Sequence, residues 1–179
     1  MDAVGVDIPI GLPVGRARAA DLAAQEFLGR RRSTVFSTPI RECLEAPTLA
    51  DAIALSRART GAGISAQAYA LRARILEVAD WLPGAGVDVR EVHPEVSFAV
   101  LSGGRAMASS KRTWNGVQER VAALATAGIR LPHRLGPAGS LAAVDDVLDA
   151  AVVAWTARRI ARGEAISFPS PPEDAAIWA

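Results

Sequence analysis

The order of apolar and polar positions along the chain predicts a mixed α/β protein. Residues 3–8 (AVGVDI) form a β-branched run that reaches Asp7 and is then broken by proline and glycine. Residues 87–92 form a second run of this kind, and both are typical of buried strands. Residues 166–168 predict a third, short strand, and a proline-rich tail begins at about residue 169.

Helical periodicity occupies most of the remaining chain. Helices are predicted over residues 17–28, 48–59, 65–81, 94–101, 114–127 and 141–162. The basic segment 30–36 is predicted to be a loop that becomes extended. An α/β layer with this much helix normally has four or five strands, so either some strands are hidden or part of the sheet is missing. Without an internal repeat or a second-domain boundary, residues 1–179 are predicted to form a single domain.

Composition narrows the class of protein more than it narrows the function. Half of the residues are hydrophobic, and the net charge is only +1, which by itself does not indicate nucleic-acid binding. The basic residues are arginines except Lys111; arginine suits phosphate binding, although a GC-rich genome produces the same bias. Cys43 is the only cysteine, which excludes an intrachain disulfide and a thiolate zinc cluster. No signal peptide and no membrane-spanning apolar run is seen, so we expect a cytoplasmic protein without a membrane partner.

Three aspartates near the start of the last predicted helix are the first candidates for chemistry. Asp146 and Asp149 share a helical face, and so do Asp145 and Asp149. Carboxylates on a largely buried helix repel each other unless a cation joins them, which favours a metal site. Alternatively, Asp145 and Asp146 interact favourably with the helix dipole in the first turn, and Asp149 gains less from it.

Two further acids lie where predicted strands end. Asp7 closes the first strand, a common position for a site in an open α/β sheet, although the pattern also fits an aspartate that hydrogen-bonds the following Gly-Leu-Pro turn. Glu95 follows the second strand, in the first turn of the next helix, where the helix dipole also stabilises a carboxylate. Neighbouring His93 is more typical of a structural hydrogen-bonding residue than of a metal ligand. Carboxylates from several elements are what two-metal phosphodiester hydrolysis with Mg²⁺ or Mn²⁺ requires.

Six blocks of sequence, in order along nearly the whole chain, resemble the motifs of the DUF429 family. The blocks are VDIPIGLP (6–13), the segment 31–36, GISAQ (63–67), EVHPEVSF (91–98), SKRT (110–113) and DDVLDAA (145–151). HPEVSF and DDVLDA are the most specific of them. This family is regarded as a predicted nuclease branch of the RNase H-like superfamily, related to RuvC and YqgF proteins. The resemblance therefore implies an RNase H-like mixed sheet flanked by helices.

The resemblance also implies roles for particular residues. Asp7 corresponds to the acid that ends the fourth strand of that fold, and Asp146 and Asp149 match a D-x-x-D-A pattern on the final helix of RuvC-type resolvases. We expect these three to hold metal, with Asp145 beside them and Glu95 as an auxiliary ligand or general base. The predicted phosphate contacts are Lys111, Arg112 and Arg31.

One departure from the family pattern leaves the function open. Family members usually begin with another strand and hairpin, whose aspartate is central to metal binding, whereas this chain starts close to the later segment at Val6. Either the start codon is placed too far downstream or the first hairpin has been lost, in which case Asp7 takes over that role or the metal site is defective. The leading hypothesis is a metal-dependent nuclease acting on DNA or RNA. The alternative is a non-catalytic member that binds nucleic acid or protein, and an exposed sheet edge would favour a homo-oligomer.

Overall fold

The computed structural model describes residues 2–179 and has the predicted mixed α/β architecture, a sheet flanked by helices. The strands are β1 (Ala3–Val6), β2 (Asp88–Val92), β3 (Ser167–Phe168) and β4 (Ile177–Trp178). The helices are α1 (Ala19–Leu28), α2 (Arg41–Leu44), α3 (Leu49–Thr60), α4 (Ala66–Ala70), α5 (Arg72–Trp81), α6 (Pro94–Leu101), α7 (Trp114–Thr126), α8 (Ala138–Leu141) and α9 (Val144–Ala161). Short 3-10 turns occupy Gly29–Thr34 and Leu82–Gly84.

The four described strands form one sheet in the order β1-β2-β4-β3. β1 and β2 run parallel with Val6 opposite Glu91, β2 and β4 are also parallel, and β3 is antiparallel to β4. The carboxyl ends of β1 and β2 therefore meet at the same edge of the sheet. In parallel α/β sheets this edge is where binding sites form.

Strand β4 was not predicted from the sequence. It lies between β2 and β3, and Ile177 is 1% exposed. The pairing continues to Ala179, whose backbone exchanges hydrogen bonds of 2.8 and 3.0 Å with Ile166. Two apolar residues after a proline-rich stretch are too few to show a strand period, so only the long-range pairing identifies this strand.

The main helices agree with the sequence pattern, and the local differences have identifiable causes. Thr48 caps α3 by accepting a hydrogen bond from Asp51 N at 3.1 Å, at the predicted start of this helix. The predicted helix 65–81 is divided at Leu71, where ψ is −1° and the helix hydrogen-bond pattern is interrupted between α4 and α5. The basic loop predicted over residues 30–36 begins as a 3-10 turn, closed by local bonds such as Thr34 Oγ1 to Arg31 O at 2.8 Å, and becomes extended only at Val35.

Helix α9 packs directly on β1, and a glycine makes this close approach possible. A Cβ on Gly5 would lie 2.9 Å from Val153 Cγ1 and 3.3 Å from the Val153 carbonyl oxygen. On its other side, α9 is linked to α6 by a buried hydrogen bond from Thr156 Oγ1 to Ser97 Oγ at 2.9 Å. The start of α9 is thereby fixed beside the carboxyl end of β1.

The buried apolar residues form three clusters. One lies between α1, α6 and β4, the second between α6, α7 and α9, and the third under α2, α3 and α4. In the part of the chain that the structure describes, no helix combines the length and the apolar character needed to cross a membrane. The first two clusters fix the helices that surround the end of the sheet.

Candidate functional site

A pocket of about 380 Å³ opens at the carboxyl ends of β1 and β2. Its walls come from the segment after β1, the start of α1, the Gly29–Thr34 turn, the end of β2 and the loop before α7. The charged and histidine residues lining it are Asp7, Arg18, Asp21, Arg31, Glu91, His93, Glu95, Lys111, Arg112 and Asp149. Segments far apart in sequence thus bring acids and bases into one concave surface.

Asp7 faces this pocket immediately after β1. Asp7 is in contact with solvent, but the surrounding protein atoms of the pocket replace much of the water around its carboxylate. This desolvation raises the pKa of Asp7 to about 7. The charges of Asp149 and Glu91 raise the pKa further, whereas Lys111 lowers it. Among residues 2–179, no hydrogen-bond donor contacts the Asp7 carboxylate. This acid is therefore free to exchange a proton or to accept a cation near neutral pH.

Asp149 comes from α9 and is 8% exposed. Burial raises its pKa, while its hydrogen bond from Lys111 Nζ to Oδ2 acts in the opposite direction. The second carboxylate oxygen, Oδ1, is buried and has no hydrogen-bond partner within the described chain. Although burial disfavours the Lys111 ammonium, the hydrogen bond and charge of Asp149 raise the pKa of the lysine. The protonated Lys111 side chain therefore places a positive charge beside the carboxylates of Asp149 and Asp7.

The position of Lys111 depends on a tight turn before α7. Thr113 caps the helix by accepting a hydrogen bond from Gly116 N at 3.2 Å, and its own hydroxyl donates to Ser110 O at 2.8 Å. A Cβ on Gly116 would lie only 1.9 Å from Ser110 O. Because no side chain fits there, the glycine allows the turn carrying Lys111 and Arg112 to lie against the first turn of α7.

A buried ionic network fixes the loop that follows Asp7. Arg18 donates to both Glu91 oxygens at 2.8 Å and to Asp21 Oδ1 at 2.5 Å. The Glu91 carboxylate also accepts the backbone N–H of Ile10 at 2.7 Å. Burial raises the pKa of Glu91, and Arg18 counteracts this effect. Glu91 and Asp21 are therefore neutralised within the protein and hold the loop in place.

Glu95 is held by a different arginine. Arg120 from α7 is fully buried and its Nη2 donates to Glu95 Oε1 at 2.5 Å. Next to Glu95, His93 Nε2 lies 3.2 Å from the Thr34 carbonyl oxygen, which makes Nε2 the protonated nitrogen. Burial lowers the pKa of His93, so the ring is neutral, and its Nδ1 is buried without a partner in the described chain. Both side chains thus have structural contacts within the pocket wall.

The structure places the sequence-predicted residues in two groups. Asp7, Glu95, Asp149, Lys111, Arg112 and Arg31 all line the pocket. Asp145 and Asp146 do not line it: they lie in a neighbouring shallow depression, where Asp146 is exposed. Because α9 turns by about 100° per residue, acids three or four positions apart still differ in direction and depth. Asp149 points toward β1, whereas Asp146 faces outward.

The oxygen donors in the pocket are sufficient for one divalent cation rather than for two. No three His, Cys, Asp or Glu side chains in residues 2–179 form a ready-made cation site. Glu91 and Glu95 are committed to arginines, which leaves Asp7 and Asp149 Oδ1 as oxygen donors. Mg²⁺ usually keeps several waters and takes one or two protein carboxylates, so these two acids suit it, with Lys111 as a competing internal cation.

Several residues that shape the pocket were not selected from the sequence. Arg18 and Glu91 are 73 positions apart, and Arg120 and Glu95 are 25 apart, so no local spacing shows the pairing. The i,i+3 spacing of Arg18 and Asp21 at the start of α1 was the available signal. Gly116 gave no sign of its role, because its contact with the Ser110 backbone exists only in the folded chain.

Comparison with known proteins adds one finding. A family model described as "Protein of unknown function (DUF429)" matches residues 1–174. This match covers the six motif blocks and confirms the resemblance seen in the sequence. No curated protein and no solved structure matches the chain.

Proposed function

The chain belongs to the DUF429 family, and we propose that it is a Mg²⁺- or Mn²⁺-dependent nuclease that hydrolyses phosphodiester bonds in this pocket. The observation that carries the proposal is that Asp7 and Asp149 lie in one pocket together with Lys111, at the carboxyl ends of two parallel strands. Acids with raised pKa values next to cations are typical of hydrolytic sites. The single cysteine fits a cytoplasmic location, which is part of the same proposal.

The basic residues of the pocket are suited to bind the substrate. Lys111 and Arg112 from the loop before α7 and Arg31 from the Gly29–Thr34 turn all line the pocket, and the Nε of Arg31 is buried without a partner in residues 2–179. Arginine and lysine donate charge-assisted hydrogen bonds to phosphate oxygens. The two arginines therefore orient the phosphodiester, and Lys111 stabilises the negative charge that develops on it.

Asp7 is suited to move the proton. In the metal-free pocket its pKa of about 7 leaves it partly ionised at neutral pH, and the carboxylate can then either accept a proton from an attacking water or hold a cation. A bound Mg²⁺ or Mn²⁺, held through Asp7 and Asp149, would supply Lewis-acid stabilisation of the phosphoryl oxygens. Glu95 is the weaker choice for a base because its carboxylate is already paired with Arg120.

The test combines metal binding with catalysis on wild type and four variants. The variants are Asp7→Asn, Asp149→Asn, Asp146→Asn and, as control, Asp2→Asn at the opposite end of β1. Saturating Mn²⁺ should raise the melting temperature of wild type by about 5–10 °C, as expected for a ligand at a hundred times its Kd on a domain of this size. Single- and double-stranded DNA and RNA would be screened for cleavage.

The variants should separate the two groups of acids. We expect Asp7→Asn and Asp149→Asn to lose the Mn²⁺ shift and about 100-fold or more of the cleavage rate. Asp146→Asn should keep the Mn²⁺ shift, because this side chain faces outward. An Asp146→Asn variant that loses the shift, or Asp7→Asn and Asp149→Asn variants with unchanged cleavage, would contradict the assignment.

A non-catalytic role is the second candidate, and one observation favours it. Lys111 already neutralises Asp149 and lowers the pKa of Asp7, so the pocket is balanced without an added cation. In that case Mn²⁺ and Mg²⁺ would leave the melting temperature of wild type unchanged, and nucleic acid would bind without being cut.

A further inference from the structure

Beside the pocket lies a shallow depression around an exposed tryptophan. Trp114 is 75% exposed, and Val144 on the facing helix is 60% exposed. Both line the depression, together with Lys111 and Arg112, which also line the pocket. The two surfaces are therefore continuous through this pair of basic residues.

The exposure of Trp114 is not required by the packing of α7. The residue is the first of the helix, where the Thr113 side chain already caps the N-terminus by accepting the Gly116 N–H. The buried positions of this helix lie further along, at Gly116, Arg120 and Leu124. A large aromatic side chain in water gains no burial energy, so its surface is available for a ligand.

The depression carries charges of both signs. Lys111 and Arg112 line both the depression and the pocket, whereas Asp145 and Asp146, in the first turn of α9, line the depression but not the pocket. A phosphate is attracted by the two basic side chains and repelled by the two aspartates. Carboxylates instead accept hydrogen bonds from the N–H groups at the edge of a nucleobase.

We propose that the depression is a nucleobase subsite, in which Trp114 stacks on a base whose phosphate lies at Lys111 and Arg112. The substrate is then a single-stranded nucleic acid, because a paired and stacked base cannot reach the ring of the tryptophan. The inference rests on the proposed nuclease function and names its substrate class. A protein partner or a second copy of this chain on the same surface is the competing occupant.

Binding is measured without cleavage, by fluorescence anisotropy of labelled probes in the absence of divalent cations. The probes are a single strand of about eight nucleotides, within the usual site size, an abasic strand of equal length, and a duplex. The proteins are wild type, Trp114→Ala, Trp114→Phe and Trp81→Ala. Trp81 is the matched control because it is 50% exposed at the end of α5 and lines neither surface.

We expect Trp114→Ala to bind the single strand about 5- to 100-fold more weakly, the usual range for loss of one base–aromatic stack. Trp114→Phe should retain most of the affinity, Trp81→Ala all of it, and the abasic strand should bind wild type and Trp114→Ala equally. Equal affinity of wild type and Trp114→Ala for the single strand would overturn the subsite. So would a change of oligomeric mass, measured by sedimentation, in Trp114→Ala without an effect on nucleic-acid binding.

The outcome is separable from that of the nuclease proposal. Trp114-dependent binding without cleavage by any form of the protein would support the subsite and overturn the nuclease. Cleavage that depends on Asp7 and Asp149, with base-containing and abasic strands bound equally, would support the nuclease and overturn the subsite.

Discussion

Five acidic side chains line the pocket, and they differ in whether a basic side chain neutralises them. Asp21, Glu91 and Glu95 are paired with arginines, and Asp149 is paired with Lys111. Asp7 has no hydrogen-bond donor in residues 2–179, and its neighbours Asp149 and Glu91 both oppose its ionisation. An acid kept in such surroundings costs stability, and sites of this kind are often functional.

This cost predicts how Asp7→Asn changes stability with pH in the metal-free protein. The pKa of Asp7 rises from 3.8 to about 7 on folding, so the folded state binds more protons than the unfolded state between these values. Wild type therefore loses stability as the pH rises from about 4 to about 7, and the loss persists at higher pH. Asp7→Asn lacks this loss.

Urea denaturation of the chelator-treated proteins at pH 5 and pH 8 measures the effect. Asp7→Asn should gain stability relative to wild type at pH 8, and the gain should be smaller at pH 5. Asp2→Asn provides the control for replacing an aspartate outside the pocket. An advantage of Asp7→Asn that is the same at both pH values would contradict the raised pKa.

At the scale of single residues, the sequence identified candidate acids better than it identified the side chains with which they form ion pairs. Asp7 and Asp149 were recognisable because strand ends and helix faces are local patterns. The arginines that neutralise Glu91 and Glu95 were not, because ionic pairs across 73 and 25 positions leave no local trace. The outward direction of Asp146 likewise depends on how α9 is rotated against β1, which its own sequence does not determine.

At the scale of elements, the contact between β1 and α9 brings the two central acids together. Asp7 lies two residues after Gly5, and Asp149 lies about one helical turn before Val153, which Gly5 contacts. A shift of α9 away from β1 would therefore separate the carboxylates directly. Glycine by itself weakens a strand, so its place in β1 is explained by the close approach of α9 to the backbone at this residue.

Replacing Gly5 by alanine tests this dependence. The added methyl would lie 2.9 Å from Val153 Cγ1 and 3.3 Å from the Val153 carbonyl oxygen, so the Val153 side chain and the adjoining backbone of α9 must shift. We expect a loss of about 1–3 kcal/mol in the free energy of unfolding, as for other overpacked cores. The Mn²⁺-induced rise in melting temperature should also weaken, because it requires Asp7 and Asp149 at their present separation.

Gly84→Ala is the control, since no atom lies within 4 Å of the added Cβ and the residue lacks a positive φ. It should leave both stability and the Mn²⁺ response close to those of wild type. If Gly5→Ala behaved in the same way as Gly84→Ala, the close approach of α9 to β1 would not be what positions the two acids.

For the whole molecule, the sequence predicted the fold class and the long helices but not the strand β4. Helical periodicity over α6, α7 and α9 was strong enough to be read directly. Strands of two residues carry no period, and β4 is recognisable only through its pairing with β2 and β3. The segment that looked like a proline-rich tail thus returns to the centre of the described sheet.

Ile177 is the test of how much this last strand contributes to the whole fold. It is 1% exposed and belongs to the core cluster that joins α1, α6 and β4, so truncation leaves a cavity in that cluster. Ile177→Ala should lower the free energy of unfolding by about 2–5 kcal/mol in urea denaturation.

Ile166→Ala is the matched control: Ile166 pairs with the same segment through its backbone, but its side chain is 43% exposed. The control should change stability by less than about 1 kcal/mol. Equal effects of the two substitutions would mean that β4 adds no core packing, whereas the expected difference would make the C-terminal segment part of the fold that supports the pocket.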